Sequence, residues 1–378
     1  MDHTIIEQYI NRLVTEGTPE KPLWNIEREI SGKPPHWNYI DGCFLLAVWE
    51  LHKKTGDKQY ADFCDRFMDF YINDDGIPLG YTIETYNLDN ICPGRVLFDL
   101  YAYSGREKYA KAIELLASQL DKQPRTYEGS FWHKAIYPHQ VWLDGLYMAQ
   151  VFRARYAQAK NRPELLDDMI NQFNIVRHRM YDESTGLYRH GYDAEKSVFW
   201  ADKNTGMSPN VWLRSLGWFV MSMADTASYL DNGTHKGRLI ELLNELLGGI
   251  ARYADPDTGL YYQVTDQIGR DGNYPESSGS SMIAYTMMKA ARYGFADRDM
   301  RQKGLKTFNG VCRKFLTEKK GQLNLGGICL SAGLGPVNNP IRDGSFEYYI
   351  SEPIVENDAK GVAPFLMSYM EVLYAGGE

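Results

Sequence analysis

The sequence predicts an all-α fold, an (α/α)6 barrel of six helical hairpins closed into a toroid, with short β-hairpins in its loops. Three observations predict it. Twelve segments of helical length carry apolar residues at helical spacing. Segments that are apolar nearly all round alternate with segments apolar on one face. A weak internal repeat opens six segments with a polar residue near a small one: Asp41-Gly42, Asp89-Asn90, Asp144-Gly145, Arg214-Ser215, Ser278-Gly279 and Asp358 with Gly361.

Taken in order, the first helix is read over 3–16. Residues 42–55 and 57–73 form a hairpin whose turn, Thr55-Gly56-Asp57, gives one helix a C-terminal glycine and the next an aspartate cap. Residues 89–104 and 106–121 repeat this around Ser104-Gly105. Segment 141–160 begins VWLDGLYMAQVF and is read as an inner helix, buried on most faces. Segment 163–180 places Leu166, Met169, Ile170, Phe173, Val176 and Met180 on one stripe and is its outer partner. Segments 210–230 and 235–254 flank Asn232-Gly233-Thr234, and 278–293, 298–317 and 358–375 complete the set. From one polar marker to the next the steps are 48, 55, 70, 64 and 80 residues, so each holds one hairpin and a lengthening loop. An open α-solenoid would repeat more regularly and carry capping ends. Lengthening loops suit a closed ring that builds a site on one face. The β-prone pieces 186–192, 259–266 and 345–351 are expected as small hairpins around that mouth.

The chain has 378 residues, 44% of them hydrophobic, and lacks a Pro-, Ser- or Gly-rich linker, so 1–378 is read as one domain. A net charge of -8 without any Lys/Arg run argues against nucleic acid as a partner. No segment approaches a membrane span, and the N-terminus MDHTIIEQYINRLV lacks a basic stretch followed by an apolar one. Cys43, Cys64, Cys92, Cys312 and Cys329 are odd in number and without CxxC spacing, as expected of reduced, buried thiols. A cytoplasmic monomer or homodimer is the expectation. Motifs for metal, nucleotide or serine-hydrolase chemistry are missing, so no metal and no cofactor are expected.

The polar markers head the inner helices and should converge on one end of the ring. N-capping alone would explain any one of them. The densest stretch, FWHKAIYPHQVWLDGLYM (131–148), brings together His133, Lys134, His139, Trp142 and Asp144. GMSPNVWLRSLGW (206–218) repeats the Val-Trp-Leu core with Arg214 in place of Asp144. A charge at the head of an apolar helix is costly unless solvated or paired, which makes Asp144 and Arg214 the leading candidates. His190 is read either as a substrate or water ligand or as a loop residue. Trp218 stands one turn from Arg214 and could face the lumen. Excess aromatics, 27 Tyr and eight Trp, fit both a core and a sugar cleft.

These motifs, with ESSGSS (276–281) and DGSFEYYISEPIVENDAKGVAPF (343–365), resemble the unsaturated rhamnogalacturonyl hydrolases of glycoside hydrolase family 105, from about His36 to Phe365. That family is similar in fold and mechanism to the unsaturated glucuronyl hydrolases of family 88. The resemblance implies an (α/α)6 barrel acting on the 4,5-unsaturated uronic acid that polysaccharide lyases leave at an oligosaccharide end. It also implies Asp144 as general acid/base and Asp89 as the second acid, with substrate contacts from Trp37, Tyr39, His133, His190, Arg214 and Trp218. Ser278 and its helix start join Arg214 as candidate receptors for the substrate carboxylate. The SEP-IVENDAKG form of the last motif is not common to all members and leaves the departing sugar open.

For double-bond hydration Asp144 must begin protonated. A helix N-terminus and Arg214 would lower its pKa; Asp89 and the apolar walls of Trp142 and Trp218 would raise it. The raising pair is expected to win and to give an acid-side pH optimum. The rival readings are an inverting glycosidase or sugar epimerase on the same fold, or a non-catalytic carbohydrate-binding protein.

Overall fold

The computed structural model describes residues 3–375. Its helices are α1 (His3–Glu16), α2 (Ile26–Ser31), α3 (Tyr39–Thr55), α4 (Lys58–Tyr71), α5 (Gly94–Ser104), α6 (Glu107–Lys122) and α7 (Leu143–Lys160). They continue as α8 (Leu165–Met180), α9 (Leu213–Tyr229), α10 (Thr234–Ile250), α11 (Ser277–Arg292), α12 (Arg298–Phe315), α13 (Phe346–Ser351) and α14 (Ala359–Ala375). The twelve expected helices are all present, joined by the short α2 and α13.

The inner helices α3, α5, α7, α9, α11 and α14 each contact the next, and α14 contacts α3, so the ring closes. The sequence pattern explains the division. From Leu213 to Ala227 every residue of α9 is buried, whereas α8 buries only the stripe that includes Met169, Phe173 and Val176. Helices α4, α6, α8, α10 and α12 pack outside their inner partners. Helix α1 takes the remaining outer place, with Tyr9 bonded to Asn357 just before α14 and Asn11 bonded to Tyr60 of α4. The apolar core fills the space between the two layers and the clefts between inner helices. Gly279 lets the heads of α9 and α11 meet, because a β-carbon there would lie 2.4 Å from the Leu213 side chain.

Among the described residues eight short strands sit in the loops: β1 (Gln140–Trp142), β2 (Tyr181–Asp182), β3 (Leu187–Tyr188), β4 (Gly191–Asp193), β5 (Leu316–Lys319), β6 (Gln322–Leu325), β7 (Ile328–Cys329) and β8 (Ile354–Val355). They pair antiparallel as β1–β4, β2–β3, β5–β6 and β7–β8. Segment 186–192 thus supplies two strands to two different partners. Segment 259–266 makes only isolated bridges, Trp212 to Val264 and Tyr262 to Pro275. Segment 345–351, expected as β, is helix α13. The Ser345 side chain caps it by accepting from the Tyr348 N–H at 3.1 Å, and this local bond outcompetes the β-prone aromatics. Asp89 does not open α5 as expected. It lies in a 3-10 turn, Leu88–Asn90, and Pro93 caps the helix that follows, because a proline fits a helix start but not its interior.

Candidate active site

Asp144 sits in the first turn of α7, and the β1–β4 pairing decides what it meets. Trp142 is in register with Gly191, and the Leu143 N–H donates to the His190 carbonyl at 3.1 Å. His190 is therefore fixed beside Asp144, with Nε2 3.3 Å from Asp144 Oδ2. The approach is off the line of a good hydrogen bond, and neither atom has another hydrogen-bond partner among the described residues. His190 is fully buried, and its other nitrogen, Nδ1, is 2.7 Å from the Tyr349 hydroxyl. Trp212 stacks parallel to Tyr349, and Trp142 meets His190 edge-on, so the imidazole is held on all sides.

A second group adjoins the first. His133 is stacked on Trp142 at 4.4 Å, with Nε2 3.6 Å from Asp89 Oδ1. Lys134 Nζ is 2.6 Å from Asp89 Oδ2. The turn carrying Asp89 is tied to this strand because the Leu88 N–H donates to the His133 carbonyl at 3.1 Å. Gly145 makes the approach possible: a β-carbon there would lie 3.0 Å from Leu88 and 3.2 Å from His133 Nδ1. Outward from Asp89 and Lys134 runs a cleft of about 380 Å³, bordered by Trp37, Tyr39, Glu27 and Asn38. Trp37 is pinned by its indole N–H, which donates to the Asn90 carbonyl at 2.8 Å. Burial, and after it the charges of Glu27 and Asp89, hold the Tyr39 hydroxyl well above its usual pKa.

Arg214 has a different setting. It is 1% exposed. Its Nη1 donates to the Cys329 carbonyl and to Ser278 Oγ at 3.4 Å, and its Nη2 to the Leu330 carbonyl at 3.4 Å. The helix start at Ser278, expected to be open for a substrate carboxylate, is already filled. Glu276 accepts from the Ser278 and Gly279 N–H groups at 3.0 and 2.8 Å, from Ser278 Oγ at 2.6 Å and from the Cys329 N–H at 3.0 Å. Trp218 is 2% exposed and lies deeper in the ring, stacked on Tyr147 at 4.7 Å. His139 is peripheral, 3.8 Å from Glu195 on a half-exposed loop.

The electrostatics correct one expectation. Burial pushes the Asp144 carboxyl up, but His190 and then His133 pull it down further, so it lies below the usual carboxylate range. Asp89 and the tryptophans do not win in the free protein. Burial also pushes the His133 imidazole down to about 4, against the attraction of Asp89. Burial would lower the Lys134 ammonium, but Asp89 more than offsets it and the net shift is upward. Among the described residues no group of three or more His, Cys, Asp or Glu is arranged to hold a metal ion.

Sequence reasoning missed Tyr349, Glu276 and Glu27. Glu276 had a legible signal, since Glu before Ser-Ser-Gly at an inner helix start can cap it. Tyr349 and Glu27 had none, because their partners lie 159 and 333 residues away.

The chain matches the model of Glycosyl Hydrolase Family 88 over residues 12–375. A solved glycoside hydrolase from family 105 of C. acetobutylicum ATCC 824 is 39% identical, with 97% of this chain and 100% of that one covered and a TM-score of 0.88. Protein Atu3128 of Agrobacterium fabrum is 36% identical over 60% of this chain and 98% of its own length. The unsaturated rhamnogalacturonyl hydrolase YesR of Bacillus subtilis is 25% identical over 68% of this chain and 71% of its own length. The chain is therefore an enzyme, a glycoside hydrolase that belongs to family 88 and its family 105 relatives.

Proposed function

We propose that this enzyme removes a terminal 4,5-unsaturated uronic acid, galacturonyl or glucuronyl, from lyase-generated oligosaccharides such as rhamnogalacturonan disaccharides, with Asp144 as both acid and base. The observation that carries the reading is the partly solvent-touching Asp144 carboxylate. It is 14% exposed, faces His190 and has a second acid, Asp89, across His133.

The C4=C5 bond of such a ring is an enol ether. Protonated Asp144 delivers its proton to C4, the π electrons forming the new C–H bond. Positive charge develops at C5 and is shared with the ring oxygen. Water adds at C5 and gives its proton back to Asp144. The resulting hemiketal opens: C5 becomes a ketone, C1 an aldehyde, and the C1 substituent leaves as an alcohol. No attack on the anomeric carbon occurs, unlike the two-carboxylate routes.

Asp144 acquires its proton when substrate binds. A uronate carboxylate adds like charge beside it and displaces water, and both effects raise a carboxyl pKa. The free enzyme meets substrate more productively as the pH falls, so an acid-side optimum in kcat/KM follows from the low resting value. Arg214 contributes positive charge to the mouth, with most of its N–H groups committed to protein oxygens. Five unpaired, buried cysteines support a reducing, cytoplasmic setting. Closure of the ring between α14 and α3 supports a single domain spanning the chain.

The test follows ultraviolet absorbance and sugar release together on a lyase-made disaccharide. Hydration destroys the chromophore before or with release of the leaving sugar. Release that runs ahead of the absorbance loss would overturn the mechanism.

A further inference from the structure

The cleft bordered by Asp89 and Lys134 also reaches the exposed residues Lys33 and His36. Its inner part is electrically balanced. Asp89 is paired with Lys134 at 2.6 Å, and Glu27 with Lys360 at 2.8 Å. Its outer part is not. The Arg28 guanidinium, nearly buried, donates to the carbonyls of Pro19 at 2.7 Å, Lys33 at 3.3 Å and Glu20, and makes no ion pair among the described residues. Lys33 is exposed, borders the cleft, and has no ion-pair partner among the described residues. His36 borders it too, with Nδ1 3.1 Å from the Pro34 carbonyl. Two cations without an ion-pair partner among the described residues thus border one cleft, in a chain of net charge -8. Asn87 and Asn90 line the same cleft with side-chain amides that can meet hydroxyls, while the Asn38 amide is committed to His36, Asp41 and Asn25.

Resting on the hydrolase reading above, we infer that this outer cleft is the subsite for the departing portion of the substrate. The geometry suits an acidic oligosaccharide, one carrying a second uronate beyond the unsaturated ring. Arg28 supplies fixed positive charge from beneath and Lys33 a mobile cation at the rim. Such charges raise encounter rates and affinity for an anion and are weakened by salt.

The experiment measures kcat/KM at low and high salt for two unsaturated substrates, one with a neutral leaving sugar and one whose leaving portion contains a second uronate. The comparison is made for the wild type, Lys33→Glu and Lys33→Arg, with circular dichroism melts confirming that the variants fold. The wild type is expected to favour the acidic substrate, and that preference should shrink as salt rises. Lys33→Glu should reduce the acidic-to-neutral ratio by about threefold or more at low salt, the scale of an exposed ion pair, and Lys33→Arg should retain it. An identical ratio in all three proteins, or a wild-type preference for the neutral substrate, overturns the inference while leaving the hydrolase reading intact. Absence of turnover of both substrates by the wild type overturns the hydrolase reading and this inference with it.

Discussion

Two inner helices begin with the same apolar words and end in opposite states. Helix α7 opens with Val-Trp-Leu before Asp144, and α9 with Val-Trp-Leu before Arg214. Around Asp144 the neighbours leave Oδ2 and the facing His190 Nε2 without a good hydrogen bond. Around Arg214 the β7 backbone and the Glu276-capped head of α11 take up the charge. A buried polar group with unused capacity is costly, and a fold keeps it where a ligand can use it. A buried polar group with most of its bonds made to protein oxygens, as Arg214 has, also holds loops in place. The repeat therefore marks two positions of equal sequence prominence: under the proposed function the first serves chemistry, while the second holds loops and can still lend its charge to the mouth.

Exchanging the two kinds of damage breaks or sharpens this comparison. The largest effect is expected from Asp144→Asn, which preserves shape and removes the transferable proton. It should lower kcat by about 10²–10⁴-fold or more with little change in thermal stability, since one group serves as both acid and base. Comparable turnover in that variant, followed by chromophore loss, would return Asp144 to the architectural class. Glu276→Ala should do the reverse. It uncaps α11, frees the Cys329 N–H and leaves Arg214 without its nearby compensating charge. A loss of about 3 kcal/mol in urea unfolding is expected. A variant as stable as the wild type but inactive would place Glu276 in the chemistry instead.

The contrast also explains what the sequence made legible. Hairpin count, inner and outer character and the heads of α7 and α9 follow from local periodicity and turn residues, which one stretch of chain contains. Asp144 and His133 were readable because they share one short segment. The state of each charge was not readable. It depends on the Glu276 carboxylate reaching Cys329, 53 residues on, and on Tyr349 reaching His190 from 159 residues away. Helix α13 escaped for a smaller reason, since a single serine cap outweighed aromatic β-propensity.

Within the chemical half, His133 gives a pH signature. Its folded pKa of about 4 is depressed by burial from the usual imidazole value of about 6.5. Between those values the unfolded chain binds a proton that the folded chain refuses, so stability falls as the pH falls. From pH 7 to 5 the loss should be about 2 kcal/mol in urea midpoint terms, and His133→Asn should flatten the slope. Asp144 does not confuse the window. Its depressed pKa supplies stability above its unfolded value and loses it only on acidification below that. An unchanged slope in His133→Asn would show that the imidazole is solvated.

The smallest effect concerns a hydroxyl. If Tyr349 donates to His190 Nδ1, the imidazole carries its proton on Nε2, facing Asp144 at 3.3 Å. That tautomer stabilises the Asp144 anion before substrate arrives and again after protonation of C4. Tyr349→Phe keeps the ring against Trp212 but releases the tautomer. Without a fixed Nε2–H the resting Asp144 pKa should rise, and the alkaline limb of the kcat/KM profile should move to higher pH. The maximal kcat should fall about tenfold, the scale of one lost hydrogen bond in a buried network. A reduced kcat with an unmoved pH profile would assign Tyr349 to packing alone and leave His190 oriented by β1 and β4.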